Sequence, residues 1–189
     1  MKKFELTSEF ITNVLGTKLF RIKALIEFGD VSAGELGGYI EKEENLAQDG
    51  NAWVYGNAKV YGDAEVYGNA EVYGNAWVYG NAEVYGDAKV CGDAKVYGDA
   101  WVCGDAWVCG DADYSTVKGF GRIFRTTTFF RKKDKDIGVS CGCFYGTLEE
   151  FRKKVKETHG ESKTAKEYLM LADLMEYKFL REMDEEVNQ

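Results

Sequence analysis

Residues 51–110 read NAWVYGNAKVYGDAEVYGNAEVYGNAWVYGNAEVYGDAKVCGDAKVYGDAWVCGDAWVCG, one six-residue unit repeated ten times without interruption. Each unit is Asn or Asp, Ala, a variable residue, Val, Tyr or Cys, and Gly, with the valines at 54, 60, 66, 72, 78, 84, 90, 96, 102 and 108. A unit this short buries nothing alone and becomes stable only by stacking on copies of itself. The repeat therefore predicts a β-solenoid. Ala and Val lie two apart and share one side of a strand, while the variable residue and the Tyr or Cys share the other. Gly followed by Asn or Asp falls where the chain must turn, because Gly takes positive φ freely and Asn and Asp bond their own main chain.

Three such strands make a triangular coil, in which units eighteen residues apart stack in parallel at about 4.8 Å. This arrangement resembles the left-handed β-helix of hexapeptide-repeat proteins, an exception to the right-handed crossover rule. The expected outer ladders are Tyr55, Tyr73, Cys91 and Cys109 with Trp53, Glu71, Lys89 and Trp107; Tyr61, Tyr79 and Tyr97 with Lys59, Trp77 and Lys95; and Tyr67, Tyr85 and Cys103 with Glu65, Glu83 and Trp101. All four tryptophans, Trp53, Trp77, Trp101 and Trp107, occupy outward variable positions. Rows of exposed aromatics mark Trp53, Trp77, Trp101, Trp107, Tyr61, Tyr79 and Tyr97 as an interface set. Stacked rings also stabilise neighbouring rungs, as cross-strand pairs do.

At 189 residues and 45% hydrophobic content the chain can bury a core. The start, MKKFELTSEF, is broken by Glu5 and Glu9, so no secretory leader is expected; no run approaches the roughly 20 apolar residues of a membrane span. A cytoplasmic location without membrane association follows as the expectation. The five cysteines read as small apolar substitutes with Cys91 and Cys109 stacked and reduced, not as a disulfide framework.

The net charge of −8 argues against DNA or other wholesale nucleic-acid binding. The charge is uneven. TVKGFGRIFRTTTFFRKK, residues 116–133, holds Lys118, Arg122, Arg125, Arg131, Lys132 and Lys133 and no acid. Arginines beside hydroxyls suit phosphate or carboxylate, so Arg122, Arg125, Thr126, Thr127, Thr128, Arg131 and Lys132 form a candidate anion site. A solvated strand pair with offset charges is the plain alternative.

The sequence divides into an N-terminal cap (1–38), a hexapeptide-repeat solenoid (39–114) and a C-terminal α+β module (115–189). In the cap LFRIKALIEF reads as one or two strands, and Ile40 and Leu46 fall in frame with Ala52, so degenerate rungs precede the perfect repeat. Asp111 to Tyr114 begin an eleventh unit and abandon it. In the module, segments 122–131 and 137–145 flank the charged turn KKDKD and predict a hairpin. Thr147 with Glu150 predicts the capping box of a helix stopped at Gly160; Thr164 with Glu167 predicts a second helix to about Glu186. On it Ala165, Tyr168, Ala172, Met175, Phe179 and Met183 make one apolar stripe, expected to pack on the hairpin.

LFRIKALIEFGDVSAGELGGYIEKEENLAQDGNAWVYGNA resembles the opening of a largely uncharacterised family of hexapeptide-repeat proteins of phages, prophages and bacterial genomes. RTTTFFRKKDKDIGVSCGCFYGTLEEFRKKVKETHG is similar to a small domain that ends phage proteins of this kind. The resemblance implies a phage or mobile-element origin and carries no catalytic residues.

Hexapeptide acyltransferases use a His base and zinc carbonic anhydrases three His, whereas this chain has one, His159, at a helix end outside the repeat. There it suits the helix carbonyls. Cys141 and Cys143, on one strand, fit small buried hydrophobes better than an incomplete zinc site. The corner acids Asp87, Asp93, Asp99 and Asp105 follow from turn chemistry, although stacked they could hold a cation. No metal or cofactor is expected. The residues point to a non-catalytic β-solenoid binding or scaffold protein, a homo-oligomer with a trimer favoured because flat prism faces pack side by side. The alternative is a phage-encoded inhibitor or sponge that captures a small anionic nucleotide or a host defence protein through the basic hairpin, with Phe129 or Tyr145 stacking on a base.

Overall fold

The computed structural model describes residues 2–121 and 123–187, residues 181–187 by backbone alone. Two compact units, Met1–Asp111 and Ala112–Gln189, divide the chain.

The first unit opens with β1 (Phe4–Thr12), β2 (Lys18–Ala24) and β3 (Leu36–Ile40). Each repeat then contributes one two-residue strand, β4 to β13, at Trp53–Val54, Lys59–Val60, Glu65–Val66, Glu71–Val72, Trp77–Val78, Glu83–Val84, Lys89–Val90, Lys95–Val96, Trp101–Val102 and Trp107–Val108. These strands stack in parallel into three sheets. Val54, Val72, Val90 and Val108 share one, Val60, Val78 and Val96 the second, Val66, Val84 and Val102 the third. The period of eighteen residues is therefore observed, and every repeat Val is fully buried with every repeat Ala at 1% exposure or less. Successive coils are joined by bonds such as Trp53 N–H to Ala70 O at 3.0 Å and Tyr55 N–H to Val72 O at 2.8 Å.

The corners are built as turn chemistry requires. The corner glycine has positive φ, +72° at Gly74, and an added Cβ there would meet Gly92 O at 2.9 Å in the next coil. Beside it runs an amide–carboxylate ladder. Asn69, Asn75 and Asn81 donate through Nδ2 to Oδ1 of Asp87, Asp93 and Asp99 at 2.9–3.0 Å. An Asn followed one coil later by an Asp gives each carboxylate a donor, where two stacked Asp would repel.

The first rung departs from the expected frame. Ile40 pairs with Val60 and Leu46 with Val66, twenty residues apart, so both take Val places, not the Ala places in frame with Ala52. Two extra residues lie between Leu46 and Val54. A shift of two keeps the side-chain alternation, so the core stays apolar. The cap also holds more strand than LFRIKALIEF implies. β1 pairs antiparallel with β2, and β2 with β3, extending one solenoid sheet into the order β1-β2-β3-β5-β8-β11. Lys3 is buried there; its ammonium donates to the carbonyls of Asp49 and Ala52, while Gln48 Oε1 accepts from its backbone N–H at 2.8 Å.

Cys91 and Cys109, expected as reduced thiols, are joined in a disulfide between stacked rungs. Cys103, Cys141 and Cys143 are not disulfide-bonded.

The second unit carries β14 (Tyr114–Val117), β15 (Thr127–Arg131), β16 (Ile137–Cys141) and β17 (Phe144–Thr147), antiparallel in that order, then α1 (Leu148–His159) and α2 (Lys163–Val187). The hairpin expected over 122–131 and 137–145 forms as β15 and β16, but Gly142, at φ +61°, breaks the second segment and starts β17. Thr147 caps α1 as expected, Glu150 N–H donating to its Oγ1 at 3.2 Å and Glu150 Oε2 accepting from Thr147 N–H at 2.8 Å. The cap of α2 is Ser162, whose Oγ accepts from Ala165 N–H at 3.2 Å, two residues before the expected Thr164. Tyr168, Ala172, Met175 and Phe179 join Phe129, Val139 and Phe151 in one core, so the stripe of α2 packs on helix α1 and the sheet; Met183 lies outside the described side chains. Among the described residues, no helix is long and apolar enough to cross a membrane.

Candidate functional site

On the solenoid the expected aromatic rows are present. Tyr61 stacks on Tyr79 at 5.1 Å and 3°, Tyr79 on Tyr97 at 5.3 Å, and Tyr67 on Tyr85 at 4.9 Å. Trp77 meets Tyr61 edge-on, and the Lys59 ammonium sits 5.2 Å from the Trp77 ring centre. Burial raises the pKa of Tyr61 and Tyr79, so these two are uncharged phenols well past neutrality. Tyr97 is 50% exposed, Trp107 is exposed, and Trp77 and Trp101 are half-buried. Trp53 is the exception. It is fully buried, because Phe4 and Phe28 close on its ring edge-on at 6.1 and 5.3 Å, so it belongs to the cap's core and offers no surface.

The basic stretch does not assemble as one anion site. Thr127 and Thr128 are each 1% exposed inside β15, and Thr127 Oγ1 donates to Cys141 Sγ at 3.2 Å. Arg131 pairs with Asp113 at 3.1 Å and lies over the Phe179 ring; Lys132 pairs with Asp134 at 3.7 Å. Acids just outside the stretch neutralise its far end. Thr126 is half-buried ahead of the strand, and Arg122 lies outside the described residues. Of the seven expected residues, Arg125 lines a cavity.

That cavity is a cleft of about 360 Å³. Its walls come from three places: Ile123 and Arg125 ahead of β15, Cys141, Cys143 and Phe144 at the β16–β17 turn, and Phe151, Lys154, Val155, Thr158 and His159 along α1, closed by Tyr168 of α2. On α1, 151, 155, 158 and 159 recur at three- and four-residue spacing, which places them on one helix face. Arg125 is seated by Gly142: its guanidinium lies directly on that glycine, where a side chain would collide. The Tyr168 ring packs edge-on against Phe151 at 5.7 Å and alongside His159 at 6.0 Å. Burial first, and then the neighbouring Cys141, push the Tyr168 phenol up to about 12 while Arg125 pulls it down, so the hydroxyl is a neutral donor at physiological pH. Among the described residues no acid lines the cleft.

Chain order hid this grouping, because Arg125, Lys154 and His159 approach one another only through the packing of α1 on the sheet. Periodicity on α1 does signal that Val155 and His159 share a face. Cys141 and Cys143, read as buried on one strand, are split by the turn: Cys141 is half-buried and Cys143 exposed. His159 lines the cleft beside Tyr168.

The strands, corners and ladders decide the architecture. The centre of this chain is a β-solenoid of hexapeptide repeats. The YdcK Beta solenoid repeat family matches residues 64–80. A stretch of 62 residues is 44% identical to the uncharacterized acetyltransferase YdcK of Escherichia coli (strain K12), covering 29% of this chain and 19% of that protein. The chain thus matches under a fifth of that relative's length, and the family match lies within the solenoid.

Proposed function

We propose that this chain is a non-catalytic β-solenoid scaffold that associates with copies of itself, a trimer being favoured, through the face bearing Tyr61, Tyr79 and Tyr97. The observation that carries the reading is this unbroken row of parallel rings with Trp77 beside it, ending at a half-exposed Tyr97. Rings already stacked and flat lose little conformational entropy on association, and Tyr and Trp dominate the energetics of interfaces. Flat sheets bring such rows side by side.

Acetyl transfer is the other reading, and it is favoured by the name of the E. coli relative. Against it stands the need for a base: the single His of the chain belongs to the second unit, outside the solenoid. Light scattering on the full chain tests the scaffold. We expect about three times the 21.2 kDa chain mass for the wild type and a single-chain mass for Trp77→Lys combined with Tyr97→Glu, with unchanged circular dichroism. A wild-type mass of one chain overturns the proposal.

A further inference from the structure

We propose that the cleft of the C-terminal unit binds a small molecule made of a flat apolar body and one anionic group, a carboxylate or a phosphate. Its volume of about 360 Å³ lies within the roughly 300–1,000 Å³ of small-molecule sites, which are mostly apolar with a few placed polar groups. Phe144, Phe151 and Val155 supply the apolar wall, and the Tyr168 and His159 rings stand beside it.

The charge in the cleft is unanswered. Among the described residues Arg131 is paired with Asp113, Lys132 with Asp134 and Arg152 with both Asp173 and Glu176. Arg125 and Lys154, the two cations of the cleft, have no carboxylate partner among the same residues, although the chain carries a net charge of −8. Two cations that face one cavity whose described lining holds no acid make the complement of an anion. Arg125 is also held in place, since its guanidinium rests on Gly142, whose φ of +61° and missing Cβ make the seat. A positioned guanidinium binds carboxylate or phosphate through two parallel N–H donors. Just before it, Phe124 adopts φ +51°, a left-handed conformation that a bulky residue rarely takes and that collects at ligand sites.

The test uses calorimetry on the full chain with three probes of one shape: 1-naphthyl phosphate, 1-naphthoate and uncharged 1-naphthol. We expect one or both anions to bind and 1-naphthol to bind at least about tenfold more weakly. Which anion is tighter separates a phosphate site from a carboxylate site. Arg125→Met and Lys154→Met, which keep the apolar stems, should each weaken the anion about tenfold or more and leave 1-naphthol unchanged. Gly142→Ala retains every charge but displaces Arg125, and should imitate Arg125→Met. Lys154 is exposed, so its variant stays folded even if the other two do not. Binding of 1-naphthol as tight as that of the anions, anion binding indifferent to Lys154→Met, or no heat with any probe overturns the proposal.

Discussion

Lys3 Nζ donates to the carbonyl oxygen of Ala52 at 3.0 Å, from a side chain only 1% exposed. Among the described residues it is the one fully buried charged side chain, and it ties the first strand to the corner that opens the perfect repeat. Burial lowers its pKa from 10.5 to about 8, with Asp49 pulling the other way. Between those values the unfolded chain holds more protons than the folded one, so this group makes stability rise with pH from about 8 to 10.5. Below about 8 both states are protonated and the penalty is constant. Compared with Lys3→Met, the wild type should therefore gain stability across that window in parallel denaturant titrations. A gap that does not move with pH would show that Lys3 titrates normally.

Gly74 and Gly98 both have φ of +72°, but only Gly74 faces the next coil, Gly98 having open space where a Cβ would stand. Gly98→Ala should cost the left-handed backbone alone, about 1–2 kcal/mol. Gly74→Ala adds a collision with Gly92 backbone and should cost about 1–3 kcal/mol more. Equal chemical-denaturation midpoints for the two variants would contradict the stacking of corners.

Val72 lies at the centre of the longest all-repeat sheet, between Val54 and Val90. Val72→Asp places a charge among Ala and Val side chains and should cost over about 4 kcal/mol. Lys59→Asp, on the outer face, should stay within about 0.5 kcal/mol. Melting curves of the two variants that coincide would mean that inside and outside are exchanged.

The disulfide between Cys91 and Cys109 leaves three of the five cysteines as thiols. Protein denatured without reductant should take up three alkyl groups per chain by mass spectrometry, and five after reduction. Five before reduction would remove the cross-link.

The solenoid was legible because its information is local and repeated: Ala–x–Val sets the inside, and Gly–Asn or Gly–Asp sets the corner. The capping box of Thr147 and Glu150 was legible for the same reason. What escaped depends on contacts distant in sequence. Nothing near Trp53 announces that Phe4 and Phe28 will cover it, and its place in the period says outward. The two-residue shift after Leu46 is silent because it preserves alternation. The basic stretch reads as one cluster along the chain, while in space Asp113 pairs with Arg131, Asp134 pairs with Lys132, and Thr127 and Thr128 are buried. The cleft was hidden for a related reason, its two cations coming from a segment before β15 and from α1.

Three units to a coil also govern how this chain can change by inheritance. Val54, Val72, Val90 and Val108 share a sheet because eighteen residues separate them. A replication slip that removes or inserts one hexapeptide leaves the buried Ala and Val contacts as they were, yet turns everything downstream by a third of a revolution. Tyr97 would then leave the row of Tyr61 and Tyr79 and join another side of the prism. Only slips of three units, or a multiple, return each outward residue to its old companions. Selection for folding is blind to that difference, so length variants held to multiples of eighteen would record selection on a surface.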